Sequence, residues 1–223
     1  MSRAAILGNI RRGLKRGPLP ADQQAMLAGR LKAHPRHLVP ARGQGDSAGQ
    51  VAAFIENVAR EFGTTQLLPD WRAVPEAITS YLAQQNIAAE IVVSPHPELQ
   101  AIPFAEKPLL NVRFGTTAPT DAVTVTQAFA GIAETGTLMM PSGPERPTSN
   151  NLLSDTEIVV IRADRIVGAY EDAFDLLRAE QGGMPRNVML VTGPSRSADI
   201  EQTLELGAHG PRSLHVLIID GED

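Results

Sequence analysis

The chain has 223 residues and a formal net charge of −5, with 20 Lys or Arg against 25 Asp or Glu. It contains no cysteine, which excludes disulfide bonds, thiolate catalysis and iron–sulfur clusters held by its own thiolates. The five histidines are scattered without a supporting carboxylate pattern, so we expect no metal site on this chain. We also expect a cytoplasmic protein without a membrane span, because no apolar run reaches spanning length and none has the form of a signal peptide.

The charges divide the chain into a basic arm and an acidic body. Residues 1 to 45 hold nine Lys or Arg against one acid, whereas residues 46 to 223 hold eleven against 24. Apolar residues at helical spacing predict two amphipathic helices, one near the N-terminus and one after Pro20. A Pro- and Gly-rich linker follows. We therefore predict a basic helical arm and linker over residues 1–47 and an α/β domain over residues 48–223.

Beyond the linker, the apolar pattern alternates between helix and strand periods, which is typical of a layered α/β domain. The first helix of this domain carries an apolar stripe and is expected to end at Gly63. We predict helices over residues 50–62, 74–85 and 169–180, and strands over residues 65–68, 89–93, 137–140 and 157–161.

The stretch from Asn187 to Asp220 predicts a parallel unit. Branched apolar residues indicate buried strands at Val188–Val191 and Leu214–Ile219, and a change of period predicts a helix over Ser197–Leu206 between them. A helix that connects two strands of one sheet makes those strands parallel. This unit is expected to complete the sheet.

The turn after the first strand of this unit is a candidate anion site. Ligands bind beyond the carboxyl ends of parallel strands, near the free N–H groups of helix N-termini. Glycine permits close approach, hydroxyl groups form hydrogen bonds, and a guanidinium fits a carboxylate or phosphate. The alternative is that a serine caps the helix while the arginine is a solvated surface residue. The candidate ligand-binding residues here are Gly193, Ser195, Arg196 and Ser197.

A second candidate region is the hydroxyl-rich turn at residues 133–137, between two apolar segments. Glu134 is the only carboxylate within ten residues on either side. Apolar surroundings raise the pKa of a carboxylate and suit it to act as acid, base or nucleophile. The alternative is that Glu134 accepts hydrogen bonds from nearby backbone N–H groups and closes the turn. Glu134 is the candidate catalytic residue, and Thr135, Gly136 and Thr137 are candidate ligand-binding residues.

A third candidate region is the polar, proline-rich loop at residues 141–151, which lies between two predicted strands. We predict that this loop and the two preceding regions form one mouth, in which Arg146 and Arg196 hold an anion. A plain solvent-exposed loop is the competing interpretation. The candidate ligand-binding residues of the loop are Arg146, Ser149 and Asn150.

Four segments of the sequence carry a family resemblance: GIAETGT at 131–137, the loop of Arg146 and Ser149, EIVVIRADRIV at 157–167, and GPSRSADIEQTLELGAHGPRSLHVLIID at 193–220. Together they resemble the LUD domain of the lactate utilisation protein C family. The resemblance extends over roughly residues 50–220, and the last segment is long enough to be specific.

The resemblance implies a fold like that of ribose-phosphate isomerase, glucosamine-phosphate deaminase and coenzyme A transferase, with a mostly parallel sheet flanked by helices. It also implies a bacterial cytoplasmic role in the oxidation of L-lactate to pyruvate, together with two iron–sulfur partner proteins. Since this sequence has no cysteine, we expect no cofactor on this chain and iron–sulfur clusters in those partners. No glycine pattern of the dinucleotide-binding type follows a strand, so the chain is not expected to be a dehydrogenase by itself.

Three functions are compatible with these features. The leading hypothesis is an accessory subunit of a lactate-oxidising system that binds a small ligand bearing a carboxylate or phosphate. The second is a stand-alone enzyme of acyl-transfer or isomerase type that uses Glu134, which rests on analogy between folds. The third is a regulatory or nucleic-acid-binding module that uses the basic arm. The acidic body and the lack of interleaved aromatic residues disfavour the third.

Overall fold

The structure of the protein is a computed structural model that describes residues 2–36, 38–200 and 203–221, with the backbone alone over 197–200 and 203–205. The chain forms two compact units, Met1–Leu38 and Val39–Asp223. The first unit contains the basic helices, and the second contains every strand that is described here.

The first unit consists of two helices, α1 (Arg3–Gly13) and α2 (Ala21–Ala33), where the apolar spacing predicts them. The side chain of Ser2 caps α1 by accepting a hydrogen bond from the backbone N–H of Ala5. Helix α2 ends at His34, which adopts a left-handed conformation. The apolar side chains of both helices are exposed, as at Ile6, Ile10, Leu14, Met26 and Leu31.

The second unit is built on a six-stranded sheet in which all neighbouring strands are parallel. Its helices are α3 (Ser47–Arg60), α4 (Val74–Gln84), α5 (Pro97–Gln100) and α6 (Tyr170–Gln181). Its strands are β1 (Thr64–Leu68), β2 (Glu90–Val93), β3 (Asn111–Phe114), β4 (Val123–Gln127), β5 (Ala130–Ile132), β6 (Thr137–Pro141), β7 (Thr156–Arg162), β8 (Ile166–Val167), β9 (Val188–Val191), β10 (Arg196–Ile200), β11 (Thr203–Leu206) and β12 (Ser213–Ile219). The large sheet has the order β1–β12–β7–β4–β2–β3, which confirms the expected α/β fold with a mostly parallel sheet flanked by helices.

Both faces of the large sheet are buried. Successive side chains of its central strands point to opposite sides, and an apolar cluster covers each side. Along β7, Ile158 and Val160 pack with α4, whereas Val159 and Ile161 pack with α3. A smaller cluster joins α6 to β5 and β6. The central strands therefore read as continuous apolar runs in the sequence, which is why β7 and β12 are found where the pattern predicts them.

The region between β8 and β12 departs from the predicted strand–helix–strand unit. Strand β9 pairs antiparallel with β6 at the edge of a second sheet, of order β8–β5–β6–β9, and its Leu190 is 43% exposed. The prediction of a helix over Ser197–Leu206 is wrong, because this region contains the antiparallel pair β10 and β11. A four-residue apolar run does not distinguish an edge strand from a central one. The β-branched residues Ile200 and Thr203 favour extended backbone.

A buried carboxyl group lies between β4 and β7. Glu157 is 1% exposed, and its Oε1 accepts hydrogen bonds from Thr126 Oγ1 at 2.8 Å and Asn151 Nδ2 at 2.6 Å. Burial raises the pKa of Glu157 to about 7, from an ordinary value of 4.5, although both hydrogen bonds act to lower it. Between these two pH values the folded chain retains a proton that the unfolded chain loses. The contribution of Glu157 to stability therefore falls as the pH rises through this window.

Two glycines of the predicted site allow other chain segments to approach α3 closely. Gly136 has a φ of 67°, and a Cβ atom there would lie 2.6 Å from the backbone nitrogen of Val58. Gly193 has a φ of 77°, and its Cβ would lie 2.2 Å from the carbonyl oxygen of Glu61. Side chains rarely adopt this backbone conformation, and real Cβ atoms do not approach backbone so closely. Both positions therefore require glycine for packing.

Substitution of Gly136 by alanine is expected to lower the free energy of unfolding by at least about 2 kcal/mol, because the added methyl group must displace α3 and the φ angle becomes strained. Urea denaturation followed by circular dichroism measures this change. Gly183→Ala is the matched control, since nothing lies within 4 Å of its Cβ position. Equal stability of the two variants would contradict the close packing of this turn on α3.

Candidate functional site

The order of the strands creates a crevice between β2 and β4, which are neighbours in the large sheet. From β2 the chain continues to β3 on one side, whereas from β4 it continues towards β7 on the other side. The connections therefore leave the carboxyl ends of these two neighbours in opposite directions. In open α/β sheets, this is the place where ligands bind.

A cavity of about 460 Å³ occupies the carboxyl ends of β2, β4 and β7. We call it the switch-point cavity. His96 lies shortly beyond β2, Gln127 is the last residue of β4, and Arg162 is the last residue of β7. Arg146 enters the cavity from the loop between β6 and β7. The sheet topology thus brings together polar residues that are far apart in the sequence.

Of the three arginines that line the switch-point cavity, two are neutralised by carboxylates. Arg162 binds both carboxylate oxygens of Asp164, at 3.1 and 3.0 Å. Arg165 likewise binds Glu180, at 2.6 and 2.9 Å. Within the described chain, no carboxylate oxygen lies within 4.0 Å of the Arg146 guanidinium, and burial lowers the pKa of this group. The charges of Glu145, Glu98 and Glu180 act to raise this pKa from beyond contact distance, so Arg146 is a partly buried cation without a carboxylate in direct contact.

The contact between Arg146 and His96 fixes the tautomer of the histidine. Arg146 Nη2 lies 2.9 Å from His96 Nε2, and a guanidinium can only donate hydrogen bonds, so Nε2 accepts. Burial, and then the positive charge of Arg146, lower the pKa of His96 and favour its neutral ring. The neutral ring therefore carries its proton on Nδ1.

The contact between Gln127 and Glu98 fixes the orientation of the Gln127 amide. Gln127 Nε2 donates a hydrogen bond to Glu98 Oε2, and a carboxylate only accepts, so the free amide atom is the carbonyl oxygen Oε1. Gln127 is 5% exposed, and the strand-end position holds it at the wall of the switch-point cavity.

Three buried atoms of these side chains lack a hydrogen-bond partner in the described structure: His96 Nδ1, Gln127 Oε1 and Arg146 Nε. Two of them are donors and one is an acceptor, as the tautomer and amide orientation require. A buried polar group that remains unsatisfied costs about 1–3 kcal/mol. Side chains that line the switch-point cavity thus have buried polar atoms whose hydrogen-bonding capacity is unused.

Two of the predicted loop residues position Arg146. Asn150 is fully buried, and its Nδ2 donates to Ser94 Oγ at 2.8 Å and to the carbonyl oxygen of Gly115 at 2.9 Å. Ser149 Oγ donates a longer hydrogen bond, of 3.4 Å, to Asn150 Oδ1. These contacts anchor the loop over the ends of β2 and β3. Arg146 is thereby held a few residues upstream, at the switch-point cavity.

Glu134 and its neighbouring threonines lie beside the start of α6 and do not line the switch-point cavity. Glu134 is 6% exposed, and its Oε1 accepts a hydrogen bond from the backbone N–H of Tyr170 at 3.1 Å. Arg42 Nε lies 3.8 Å from its other oxygen. The hydroxyl groups of Thr135 and Thr137 bond to each other and to the Tyr170 hydroxyl. These contacts agree with the turn-closing interpretation of Glu134.

Arg196 and Arg146 lie at opposite ends of the parallel strands of the large sheet. The guanidinium carbon of Arg196 is 3.6 Å from the centroid of the Phe62 ring, a cation–π contact. Phe62 precedes β1 and so marks the amino ends of the parallel strands, whereas Arg146 contacts His96 at the carboxyl ends.

The turn at residues 133–137 and the segment after β9 do meet, since Thr137 Oγ1 lies 2.7 Å from Thr192 Oγ1. The loop of Arg146 does not join them, so the prediction that all three regions form one mouth is wrong.

The other residues after β9 also lack the helix N-terminus that the sequence predicted for them. Ser195 Oγ accepts a hydrogen bond from the backbone N–H of His209 at 3.2 Å. Gly193 packs on α3, and the side chain of Ser197 lies outside the described structure. Ligand binding by Gly193, Ser195, Arg196 and Ser197 stays a prediction, but it cannot involve the cavity of Arg146.

Sequence reasoning missed His96 and Gln127, although a signal for one of them was present. His96 follows the predicted strand at residues 89–93, where the carboxyl end of a parallel strand indicates a site. Gln127 lies in an apolar region without a distinguishing pattern. Its role depends on the strand order, which places β4 beside β2 and which the sequence does not give.

The described residues include no helix with the length and apolar character needed to cross a membrane. They also include no group of three or more His, Asp or Glu side chains arranged to hold a metal ion. Charged and hydrogen-bonding side chains line the switch-point cavity.

Comparisons with known proteins agree with the resemblance noted in the sequence. Residues 114–219 match the LUD domain. An uncharacterised protein of Neisseria meningitidis is 41% identical over 92 residues, which cover 41% of this chain and 40% of that protein. Lactate utilisation protein C of Macrococcus caseolyticus is 33% identical over 101 residues (44% of each chain), and that of Bacillus subtilis is 34% identical over 102 residues (44% of this chain, 42% of the relative). The chain thus spans less than half the length of these relatives.

A solved structure supports the fold over a longer stretch. The crystal structure of a DUF162 family protein from Deinococcus radiodurans covers 79% of this chain and 99% of its own, with a TM-score of 0.56 and 20% sequence identity. At this identity the likeness concerns the fold alone. The sequence matches confirm the resemblance of this chain to the LUD domain and to lactate utilisation protein C.

Proposed function

We propose that the chain is an accessory component of bacterial lactate utilisation and that its switch-point cavity binds a small carboxylate. Relatives named lactate utilisation protein C support the first part of this proposal. The observation that carries the second part is Arg146, a partly buried cation with no carboxylate within 4.0 Å among the described residues. An anionic ligand would supply the missing counterion.

The geometry favours a ligand that neutralises the charge of Arg146 and also accepts a hydrogen bond from its guanidinium. Arg146 uses Nη2 to contact His96, and its buried Nε lacks a hydrogen-bond partner in the described structure. Hydrogen bonds between a charged donor and a carboxylate are roughly twice as strong as neutral ones, and they strengthen further where water is excluded. A carboxylate therefore fits the guanidinium of Arg146.

In this proposal the chain works in the cytoplasm with iron–sulfur proteins, which carry the electrons released when L-lactate is oxidised to pyruvate. The sequence has no cysteine with which to hold such a cluster through thiolates. The role assigned to this chain is to bind and present the carboxylate, and the redox centres belong to the partners.

A stand-alone enzyme that uses Glu134 is the less favoured alternative. The Glu134 carboxylate already accepts a backbone hydrogen bond, has Arg42 nearby, and does not line the switch-point cavity. A nucleophile or base needs access to a reacting atom within hydrogen-bond reach. The contacts of Glu134 instead link its turn to the start of α6.

Replacement of Arg146 by glutamine is expected to abolish the rise in melting temperature that millimolar L-lactate gives the wild-type protein, because the counter-charge and the Nε donor are lost. Without ligand, the variant is expected to melt close to the wild type, because it loses the hydrogen bond to His96 but also loses a partly buried charge. Differential scanning fluorimetry with and without sodium L-lactate measures both quantities.

Arg60→Gln provides the control, since Arg60 is an exposed helix residue paired with Glu56. This variant should retain the full response to L-lactate. The proposed site is wrong if Arg146→Gln responds to L-lactate like the wild type. A large loss of stability in unliganded Arg146→Gln would instead indicate that Arg146 has a structural role.

Deletion of the gene in its own host is expected to stop growth on L-lactate and to leave growth on pyruvate unchanged, because only the oxidation step is lost. Growth curves on each carbon source measure this difference. A plasmid copy of the wild-type gene should restore growth on L-lactate, and the Arg146→Gln copy should not. Normal growth of the deletion strain on L-lactate would contradict the proposed role in lactate utilisation.

A further inference from the structure

We propose that two copies of this chain associate through the free edge of β1 and join their large sheets into one continuous sheet. A two-fold axis beside Gln66 relates the two copies, so their β1 strands run antiparallel. The inference does not depend on the proposed function, because β1 contributes no residue to the switch-point cavity.

Strand β1 lies at one edge of the large sheet, and among the described strands it pairs with β12 alone. The carbonyl oxygen of Leu68 accepts a hydrogen bond of 2.9 Å from the N–H of Asp220, which follows β12. Backbone groups alternate in direction along a strand, so Gln66 also faces β12. Thr65 and Leu67 therefore direct their N–H and C=O groups to the free side, where no described loop or turn backbone bonds to them.

The edge of β1 lacks the features by which proteins prevent further strand pairing. Residues 64–68 include no charge and no proline, and their pairing with β12 has no bulge. Leu67 is 51% exposed, although its partner on β12, Ile218, is fully buried. At the other edge of the sheet, by contrast, β3 carries a charged side chain, Arg113. The β1 edge is therefore the one that suits an additional strand.

The two outward-facing residues of β1 form a self-complementary set. A two-fold axis beside Gln66 places Thr65 opposite Leu67 of the second copy, and Leu67 opposite Thr65 of the second copy. Each of these pairs exchanges two N–H···O=C bonds, so all outward backbone groups of both β1 strands are satisfied. The exposed Leu67 side chain then packs across the junction on Thr65, and the two Gln66 side chains lie directly opposite each other.

The neighbouring registers leave backbone groups without partners. An axis beside Leu67 places Thr65 opposite Pro69, which has no N–H to donate to the Thr65 carbonyl oxygen. An axis beside Thr65 places Leu67 opposite Gly63. The N–H of Gly63 is already bonded to the carbonyl oxygen of Val58. Each of these registers thus leaves a carbonyl oxygen unpaired in each copy, which favours the axis beside Gln66.

Sedimentation velocity of the full chain at tens of micromolar tests the inference, and the wild-type protein should sediment as a dimer. Gln66→Lys places two like charges opposite each other at the axis and should raise the dissociation constant of the dimer at least about fivefold. Asn111→Lys is the matched control. It adds the same charge at an exposed position of β3, the other edge strand, and should dimerise like the wild type.

A cross-linking experiment tests the register, since the sequence contains no cysteine. Residues opposite each other in a non-hydrogen-bonded antiparallel pair have Cα atoms about 4.5 Å apart, within reach of a disulfide bond. Gln66→Cys, oxidised with copper phenanthroline, should therefore give a product of twice the chain mass on a non-reducing gel. Asn111→Cys should give little of this product under the same conditions.

These outcomes are independent of the switch-point cavity. A monomeric wild-type chain overturns the inference, including the case in which the edge of β1 receives a strand from a different protein. A dimer that persists unchanged in Gln66→Lys overturns the assignment of the interface to β1. Equal cross-linking of Gln66→Cys and Asn111→Cys overturns the register. Gln66 and Asn111 are exposed, so circular dichroism should show that all four variants fold like the wild type.

Discussion

The functional account depends on the partly buried charge of Arg146, which has no carboxylate in direct contact among the described residues. Its neighbours Arg162 and Arg165 each hold a carboxylate in a two-point contact, whereas Arg146 contacts the neutral ring of His96. A buried charge without a counterion destabilises the folded chain by several kcal/mol unless a ligand supplies one. The position of this charge at the divergence of β2 and β4 gives it a ligand-binding environment, and the fold around it is consistent with that role.

The surrounding structure serves to hold this arrangement. Parallel pairing of β2, β4 and β7 brings His96, Gln127 and Arg162 to one edge, and the buried Asn150 fixes the loop that carries Arg146. By contrast, the turn of Glu134 is constrained by its packing on α3 and by contacts with α6. The chain thus has one polar region with unused hydrogen-bonding capacity and another whose groups bind each other.

The sequence predicts those elements whose periodicity is set by burial on both faces. Strands β7 and β12 and helix α3 are of this kind, and the α/β class follows from them. It predicts the position of β9 but not its antiparallel pairing at a sheet edge, because a short apolar run carries no information about whether one face or both are covered. It also does not predict the hairpin that follows β9. Arg146 could be chosen as a candidate from its loop, but its partners could not. Their proximity depends on the order of strands, which is a long-range property of the fold.

A crystal structure of the protein soaked in sodium L-lactate tests the central claim most directly. The account predicts difference density in the switch-point cavity, with the carboxylate of L-lactate against the guanidinium of Arg146. Density for L-lactate at Arg196 or at the turn of Glu134, with the switch-point cavity empty, would contradict it.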